Sequence, residues 1–388
     1  MNRKLKLFHA LGAYNDIINI AYQRNPLLKN SSYENQKKAI FDAGYGSLNI
    51  WKIYYENHPE FIFETCVCNS LESQQKWAHE NNLEIDAGLS KREILQKILI
   101  KQIAIFQPEV LFAHDIGLFG DIILEIKQSV KSIKFVFGWD GILMHNLKLF
   151  EHYDLVLSPV KETVQFYNQL NKQSYFFPFG FHPKILEIIT PPKKPYYECT
   201  FIGQLQPQGQ HSDRFKYILG LTKNFPVNLW VPSLGIQNRK IYFLQQIKRL
   251  LKLNLKDFQD VRYLKNRNNG VAYGIDMFQI ISESSMVVNK HINQVGSSAA
   301  NIRLFEVTGI GSCLITDFKE NITEYFEPEK EIITYNSIDE LISKIKFYNK
   351  NEGARESIAK AGQFRTLNEH TYSQRFASFT QYLIKLLR

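Results

Sequence analysis

Short apolar runs of strand length alternate with helix-like segments along the whole chain. In the first half these runs fall at residues 6–11, 61–68, 109–114, 134–139, 154–157 and 174–179. In the second half they fall at residues 196–202, 227–231, 261–264, 286–289, 313–316 and 331–334. Alternation of this kind is typical of parallel sheets with helices on both faces. The sequence therefore predicts an α/β fold of doubly wound sheets.

A turn and a proline-rich linker divide the chain into two halves. Residues 180–183 predict the turn, and residues 191–195, Pro-Pro-Lys-Lys-Pro, predict the linker. The chain has 388 residues, which exceeds what one hydrophobic core usually serves. We therefore expect a boundary between residues 185 and 195, and two sheets of similar size with a cleft between them.

Two sequence patterns predict where particular helices begin. Ser90 and Glu93 have the spacing of a capping box, in which each side chain bonds the backbone amide of the other residue. Ser158 followed by Pro159 predicts another start, with the serine as N-cap and the proline in the first helical position. Each of these helices would lie between two predicted strands, as the alternation requires.

The chain is basic, with a net charge of +9 from 47 basic and 38 acidic residues. This excess favours acidic partners such as nucleotides, anionic glycans or an anionic membrane surface. The basic residues are scattered singly among apolar ones, so the sequence does not predict nucleic-acid binding. No apolar run reaches 18 residues, so we expect no membrane span, while peripheral contact with the inner face of a membrane stays compatible.

The four cysteines are Cys66, Cys68, Cys199 and Cys313, and they lack the spacing of a zinc site. They fall in apolar runs, where buried, reduced thiols are common. We therefore expect a cytoplasmic protein in a reducing compartment.

The segment 203–214 has the features of a phosphate-binding loop. It follows the first strand of the second half and opens a helix, which is where an open α/β sheet binds phosphate. The candidate residues for gripping a diphosphate are Gly203, Gln204, His211 and Arg214. An equally good interpretation is a tight turn followed by a solvated arginine.

Arg303 and Glu306 lie in a segment that predicts a short helix, a glycine stop and a buried strand ending in Asp317. Residues i and i+3 share one helical face. A guanidinium suits phosphate oxygens and a carboxylate suits sugar hydroxyls, so both could meet one nucleotide at the helix start. The pair predicts nucleotide-sugar binding, and the alternative is a surface ion pair, which contributes little to stability.

Three further residues of the second half are candidates for the same site. Lys290 and His291 end the preceding strand on the same sheet edge, and Tyr273 starts a helix from which it could stack on a base. For Tyr273 a helix cap with an interdomain tyrosine is an alternative of equal weight.

In the first half, His114, Asp115 and Asp140 stand at the carboxyl ends of two predicted strands. Such ends face the ligand cleft of an α/β sheet. A carboxylate or imidazole there could act as a general base toward an acceptor hydroxyl, so these three are the candidate catalytic residues. The alternative for Asp115 and Asp140 is that each caps the helix after its strand.

The sequence contains no Walker A motif and no Asp-x-Asp pair that would hold a divalent metal. We therefore expect no metal and no other cofactor. A departing diphosphate would then be stabilised by Arg214, Lys290 and Arg303 together.

Several motifs of the second half resemble the CgeB-like, spore-protein-type glycosyltransferases. The resemblance is carried by Val288-Asn-Lys-His291, residues 301–311, Leu314-Ile-Thr-Asp317, Ile358-Ala-Lys-Ala-Gly362, Glu369-His-Thr-Tyr372 and Arg375. It covers the last hundred residues almost continuously and extends more loosely to Phe201-Ile-Gly203, His211, Arg214 and residues 177–183. The first half matches only in the order of its strands and helices.

The resemblance implies a GT-B fold with two Rossmann-like domains. The first, residues 1–185, would bind the acceptor, the second, residues 186–365, would bind the donor nucleotide sugar, and a final helix within residues 366–388 would cross back to the first. Glu306 would hold the ribose hydroxyls, Arg214 with Lys290 or Arg303 would hold the diphosphate, and His114 would touch the sugar. The broader group of retaining relatives has a second glutamate where this chain has Ser298, so the resemblance fixes neither retention nor inversion.

The resulting hypothesis is a metal-independent glycosyltransferase that moves a sugar from a nucleoside diphosphate, with UDP as the expected nucleotide. The acceptor would be a glycan, a lipid-linked molecule or a protein, as in polysaccharide biosynthesis. Two alternatives remain open at this point. One is a nucleotide-sugar epimerase of the same fold, and the other is a non-catalytic glycan-assembly module.

Overall fold

The computed structural model describes residues 3–141, 146–232, 234 and 255–388. The chain divides into two compact units, one formed by Met1–Pro178 with Ser373–Arg388 and the other by Phe179–Tyr372. Each unit contains its own parallel sheet with helices between successive strands. The predicted fold class, with two Rossmann-like α/β domains, is confirmed.

The sheet of the first unit has six strands among the described residues. They are β1 (Leu5–Leu11), β2 (Phe61–Val67), β3 (Val110–Asp115), β4 (Phe135–Trp139), β5 (Leu155–Ser158) and β6 (Ser174–Phe176). Their order across the sheet is β2-β1-β3-β4-β5-β6, and every neighbouring pair is parallel. Most of the strands are largely buried apolar runs, which is why the sequence pattern located them.

The helices of the first unit are α1 (Asn15–Arg24), α2 (Tyr33–Ala43), α3 (Ile50–Tyr55), α4 (Leu71–Glu80), α5 (Lys91–Phe106), α6 (Ile116–Phe119), α7 (Ile123–Ser129) and α8 (Lys161–Gln169). The predicted capping box at α5 is confirmed, because Ser90 Oγ accepts from the Glu93 amide and the Glu93 carboxylate accepts from the Ser90 amide. All four cysteines are free and buried, two of them in this unit.

The sheet of the second unit has five strands among the described residues. They are β7 (Tyr197–Ile202), β8 (Asn228–Trp230), β9 (Ser284–Asn289), β10 (Cys313–Asp317) and β11 (Ile333–Tyr335). Their order is β11-β10-β9-β7-β8, again with every neighbouring pair parallel. The helices are α9 (Ser212–Asn224), α10 (Leu255–Lys265), α11 (Gly274–Ser282), α12 (Arg303–Ile310), α13 (Ile338–Lys350) and α14 (Glu352–Glu369).

The last helix, α15 (Tyr372–Leu387), packs within the first unit although it follows the second in sequence. Its Phe376 ring stands edge-on to Trp51 with 4.7 Å between ring centroids. Thr380 shares a buried 2.9 Å hydrogen bond with the Tyr55 hydroxyl. Burial of the apolar face that the sequence shows in this helix therefore explains its place in the first unit.

Two predicted elements are wrong in the structure. Residues 261–264 were expected as a strand but belong to helix α10, where Leu264 is fully buried and Tyr263 donates a hydrogen bond to the Thr222 carbonyl. A four-residue apolar run cannot be distinguished from one turn of a buried helix by its pattern alone. Helix α8 begins at Lys161 rather than Pro159, because Ser158 still pairs with Phe176 in the sheet.

Candidate functional site

The second sheet has a topological switch point between β7 and β9. The chain runs from β7 to β8 on one side and then crosses to β9 on the other side of β7. Ligands of open α/β sheets bind outside the carboxyl ends of the strands at such a point. Gly203 follows β7 there, and Lys290 with His291 follows β9.

Arg214 joins the two sides of this switch point. It is the third residue of α9, is only 9% exposed, and donates from Nε to the main-chain oxygen of Lys290 at 2.6 Å. Its Nη1 lies 3.4 Å from His211 Nδ1. Burial lowers the pKa of Arg214 to about 10 and that of His211 to about 4, so at neutral pH the arginine is charged and the histidine is neutral.

Gly203 and Gln204 begin the loop that leads to this arginine. A Cβ atom built on Gly203 would lie 3.3 Å from the Phe201 ring and 3.9 Å from Arg214 Nη1, so the glycine lies directly beside the guanidinium. Gln204 is partly exposed. The structure therefore brings Gly203, His211 and Arg214 together and places Gln204 next to them in the chain.

Asp317, the last residue of β10, is the centre of a charged cluster. Its Oδ2 lies 2.9 Å from Lys290 Nζ and 3.8 Å from Lys319 Nζ, and its Oδ1 accepts from the His291 amide at 2.8 Å. Burial would raise the pKa of Asp317, but the hydrogen bonds from His291 and the charge of Lys290 hold it well below its usual value. One ionised carboxylate thus organises two lysines beside Arg214, and positive charge remains in excess.

His291 contributes a buried acceptor to this cluster. Its side chain is fully buried, and Nδ1 lies 2.7 Å from Asp317 Oδ1. Because an ionised carboxylate can only accept, Nδ1 must carry the proton and Nε2 the lone pair. Burial lowers the pKa of His291 despite this contact, and Nε2 has no hydrogen-bond partner among the described residues.

Arg303 and Glu306 form a contact in α12, but not on an exposed surface. Arg303 Nη1 lies 2.8 Å from Glu306 Oε2, and the two side chains are 13% and 4% exposed. The geometry is that of an ion pair without a hydrogen bond, since Oε2 has no hydrogen-bond partner in the described part of the chain. Burial raises the pKa of Glu306 and outweighs the attraction of Arg303.

A chain of amide hydrogen bonds fixes the start of α12 against the strand ends. Asn301 accepts from the Arg303 amide and donates to Asn289, which in turn donates to the Thr316 hydroxyl, each at 2.9 Å. Arg303 is close enough to Arg214 for its charge to lower the pKa of that arginine. The two predicted phosphate-binding arginines therefore lie within electrostatic reach of each other.

Tyr273 lies at the edge of this region. It is the N-cap residue of α11, and its carbonyl accepts from the Met277 amide one turn later. The Met277 sulfur lies 2.9 Å from Arg303 Nη1. Helix α11, which follows Tyr273, thus contacts the arginine of α12.

Asp317 and Lys319 were not among the residues that the sequence singled out for the site. The sequence shows Asp317 as a carboxylate at the end of a strand and as part of a motif of the resemblance, without a role in the site. The observation that places it in the site is the pairing of β10 with β9. Thr316 lies opposite Asn289, so Asp317 and Lys290, the next residue after each, come together.

In the first unit, the three predicted catalytic residues lie at the carboxyl ends of β3 and β4, which pair with Asp115 opposite Trp139. Asp115 is exposed and caps α6 by accepting from the Leu118 amide at 3.2 Å. Asp140 is only 2% exposed and accepts from the Tyr167 hydroxyl at 2.7 Å. Both aspartates thus have a structural role at these strand ends.

His114 is partly buried and belongs to a chain of polar side chains. Its Nδ1 lies 3.1 Å from His9 Nε2, and His9 Nδ1 lies 3.3 Å from the Thr65 hydroxyl. Burial lowers the pKa of His114 to about 4 and also lowers that of His9. Both imidazoles are therefore neutral at physiological pH.

Within the part of the chain that the structure describes, no group of three or more His, Cys, Asp and Glu side chains is arranged to hold a metal ion. No helix in the same residues has the length and apolar character needed to cross a membrane.

Comparison with known proteins gives one family and a set of solved structures. A family described as glycosyl transferase-like matches residues 239–381. No curated protein sequence matches the chain.

Three similar structures cover nearly the whole chain. Anabaena HepE, solved with UDP-glucose, aligns at 10% identity with a TM-score of 0.60, covering 98% of this chain and 100% of HepE. A Rickettsia africae glycosyltransferase aligns at 10% identity with a TM-score of 0.53, covering 100% of both chains. The trehalose 6-phosphate synthase of Burkholderia multivorans aligns at 9% identity with a TM-score of 0.53, covering 100% of this chain and 97% of the synthase.

At these identities the structures establish the fold, and the sequence match concerns the second half. The chain therefore has the GT-B fold and carries a glycosyl transferase-like sequence over residues 239–381.

Proposed function

We propose that this protein is a glycosyltransferase of the CgeB-like type that moves a sugar from a nucleoside diphosphate, with UDP as the expected nucleotide, to a glycan, lipid-linked or protein acceptor. The observation that carries the proposal is the cation cluster at the switch point of the second sheet, where Lys290 and Lys319 flank Asp317 and Arg214 is bonded to the main chain of Lys290. The fold shared with a structure solved with UDP-glucose supports the choice of donor.

The chemistry of the cluster suits a departing diphosphate. Negative charge grows on the phosphate oxygens as the bond to the sugar breaks, and fixed cations in a partly buried site stabilise that charge. A hydrogen bond between ionised groups contributes about 1.5 to 3 kcal/mol. Arg214 and Arg303 with Lys290 can thus stabilise the leaving group without a metal ion.

Glu306 is the proposed ligand of the ribose. Its Oε2 is buried and accepts no hydrogen bond from the described residues, and burial raises its pKa. Two vicinal hydroxyls donating to this carboxylate would stabilise its ionised form. His291 Nε2 is a second buried acceptor that a donor hydroxyl can satisfy.

Acceptor activation is assigned to the strand ends of the first unit. Asp115 is the better candidate for a general base because its carboxylate is exposed, whereas Asp140 is buried against Tyr167. His114 is neutral and suits contact with the sugar more than proton abstraction, since burial lowers its pKa to about 4.

The test is a thermal-shift panel with UDP, GDP, ADP, CMP and dTDP, followed by assay of nucleoside diphosphate release from the matching sugars. A ligand present at 100 times its dissociation constant adds about 2.7 kcal/mol to the free energy of unfolding. We expect UDP to give the largest shift and a UDP-sugar to release UDP in the presence of acceptor. Absence of binding for every nucleotide, or sugar isomerisation without transfer, would contradict the proposal.

A further inference from the structure

A cavity of about 370 Å³ lies in the first unit at the edge where its sheet would bind ligands. The chain runs from β1 to β2 and then crosses to β3 on the other side of β1, so the switch point of this sheet lies between β1 and β3. The cavity is lined by Asn15, Asn69 and Leu118, which follow β1, β2 and β3 respectively. Its position is the one that topology assigns to a ligand.

The walls of the cavity are mainly apolar. Leu95 and Leu99 of α5 line one side, and Leu118 with Phe119 of α6 lines another. The amide of Asn69 is already used, since it accepts from the Ala13 amide at 2.9 Å and donates to the Ala13 carbonyl at 2.8 Å. These walls suit an apolar chain, and the volume lies within the range of small-molecule sites.

Two cations stand at the start of α5, which borders the cavity. Arg92 is paired with Asp121 of the segment after α6. Lys91 is exposed and lines the cavity without an ion pair to any residue that the structure describes. One positive charge beside the apolar walls is therefore uncompensated, and it would favour an anionic group on the ligand.

We infer that this cavity binds an anionic amphiphile, an apolar chain that ends in a phosphate or a carboxylate, and that such a molecule is the acceptor or carries it. That the ligand is the acceptor or carries it rests on the proposed function. This part of the inference selects the lipid-linked class from the three proposed acceptor classes. The binding site itself stands on the cavity, its walls and Lys91.

Calorimetry on the full chain tests the ligand class with four probes kept below their micellar concentrations. Octyl phosphate and octanoate carry the chain with either anionic group, octyl glucoside carries the chain without charge, and glycerol 1-phosphate carries the charge without the chain. We expect the tighter of the two anions to bind at least tenfold better than octyl glucoside and glycerol 1-phosphate. Comparable binding of octyl glucoside would overturn the anionic part, and absence of binding by both octyl anions would overturn the site.

Two pairs of variants locate the binding. Leu118→Trp fills the cavity and is expected to abolish octyl phosphate binding, whereas Leu124→Trp, at an exposed leucine of α7, is expected to leave it unchanged. Lys91→Gln should weaken the same binding about five- to tenfold, whereas Lys97→Gln, at an exposed lysine of the same helix outside the cavity, should not. Equal effects within either pair would overturn the assignment.

UDP binding is measured in parallel, so that failure of the proposed function can be distinguished from failure of the inferred ligand site. Octyl phosphate binding without any nucleotide binding would contradict the proposed function and support the ligand site in the cavity. Nucleotide binding with no octyl anion bound would contradict the cavity alone. Transfer of sugar to an octyl phosphate-linked acceptor, lost in Leu118→Trp while UDP binding is kept, would support both.

Discussion

The side chain of Arg214 donates a 2.6 Å hydrogen bond from Nε to the main-chain oxygen of Lys290, 76 residues further along the chain. This bond joins α9 to the end of β9 and holds a buried guanidinium at the switch point of the second sheet. Among the residues that the structure describes, Arg214 forms no direct ion pair with a carboxylate, so this buried cation is suited to receive an anion from a ligand.

Replacement of Arg214 by Gln should weaken UDP binding by roughly 10- to 150-fold, because one charge-assisted contact of about 1.5 to 3 kcal/mol is lost. The glutamine amide can still donate toward the Lys290 carbonyl, so the fold should be kept. The measurement is calorimetry with UDP, together with a circular dichroism melt. Lys216→Gln, at an exposed lysine of the same helix, is the control and should bind UDP like the parent. Equal affinity in both variants would remove Arg214 from the site.

Replacement of Asp317 by Asn should destabilise the second unit by roughly 3 to 5 kcal/mol at pH 7, since removing one partner leaves buried charge uncompensated. The pKa of Asp317 is depressed in the folded protein, so its contribution is present above its unfolded pKa of 3.8 and is lost as the pH falls. Urea unfolding at pH 7 and at pH 3 should therefore show that the difference in free energy of unfolding between parent and variant is smaller at pH 3.

Asp42→Asn is the matched control for this measurement. Asp42 is exposed and paired with Lys38 one turn away in α2. A pair of this kind contributes less than about 1 kcal/mol. A similar loss of stability in the two variants would show that the Asp317 cluster is no stronger than a surface pair.

The Asp317 cluster also shows where prediction from sequence ends. The strands of the second sheet were located as apolar runs, and Arg303 with Glu306 as residues on one helical face, because both features depend on neighbours in the chain. The contacts of Asp317 with Lys290 and His291 span 27 and 26 residues and depend on β10 lying beside β9. Strand order within a sheet is a property of the packed unit, and the apolar pattern does not encode it. The prediction of a strand at residues 261–264 was wrong for a different reason. A short apolar run fits a strand and one turn of a buried helix equally well.

Replacement of Glu306 by Gln should abolish tight UDP binding while changing the pH dependence of stability. Burial raises the pKa of Glu306, so its ionisation costs stability, and that cost appears as the pH rises from the unfolded value of 4.5 through the folded value. The free energy of unfolding should therefore fall less between pH 4 and pH 7 in the variant than in the parent. Urea unfolding over this range measures the difference. Identical pH profiles would show that the carboxylate is already stabilised in the unliganded protein.

Replacement of Asp115 by Asn separates capping from catalysis at the first sheet. Asparagine is as good an N-cap residue as aspartate, so the bond to the Leu118 amide and the melting temperature should be kept. A general base contributes about 10²- to 10⁴-fold to the rate, and an amide cannot replace it. We therefore expect sugar transfer to fall by at least 10²-fold while UDP affinity is unchanged.

Asp140→Asn provides the contrasting variant for this experiment. Asp140 is buried and accepts from the Tyr167 hydroxyl, and a neutral amide oxygen is a weaker acceptor than a carboxylate, so the asparagine should lower the melting temperature as well as the activity. The melting temperature, the UDP affinity and the transfer rate are measured for both variants. Loss of transfer in Asp140→Asn at unchanged stability, with full activity in Asp115→Asn, would move the base from Asp115 to Asp140.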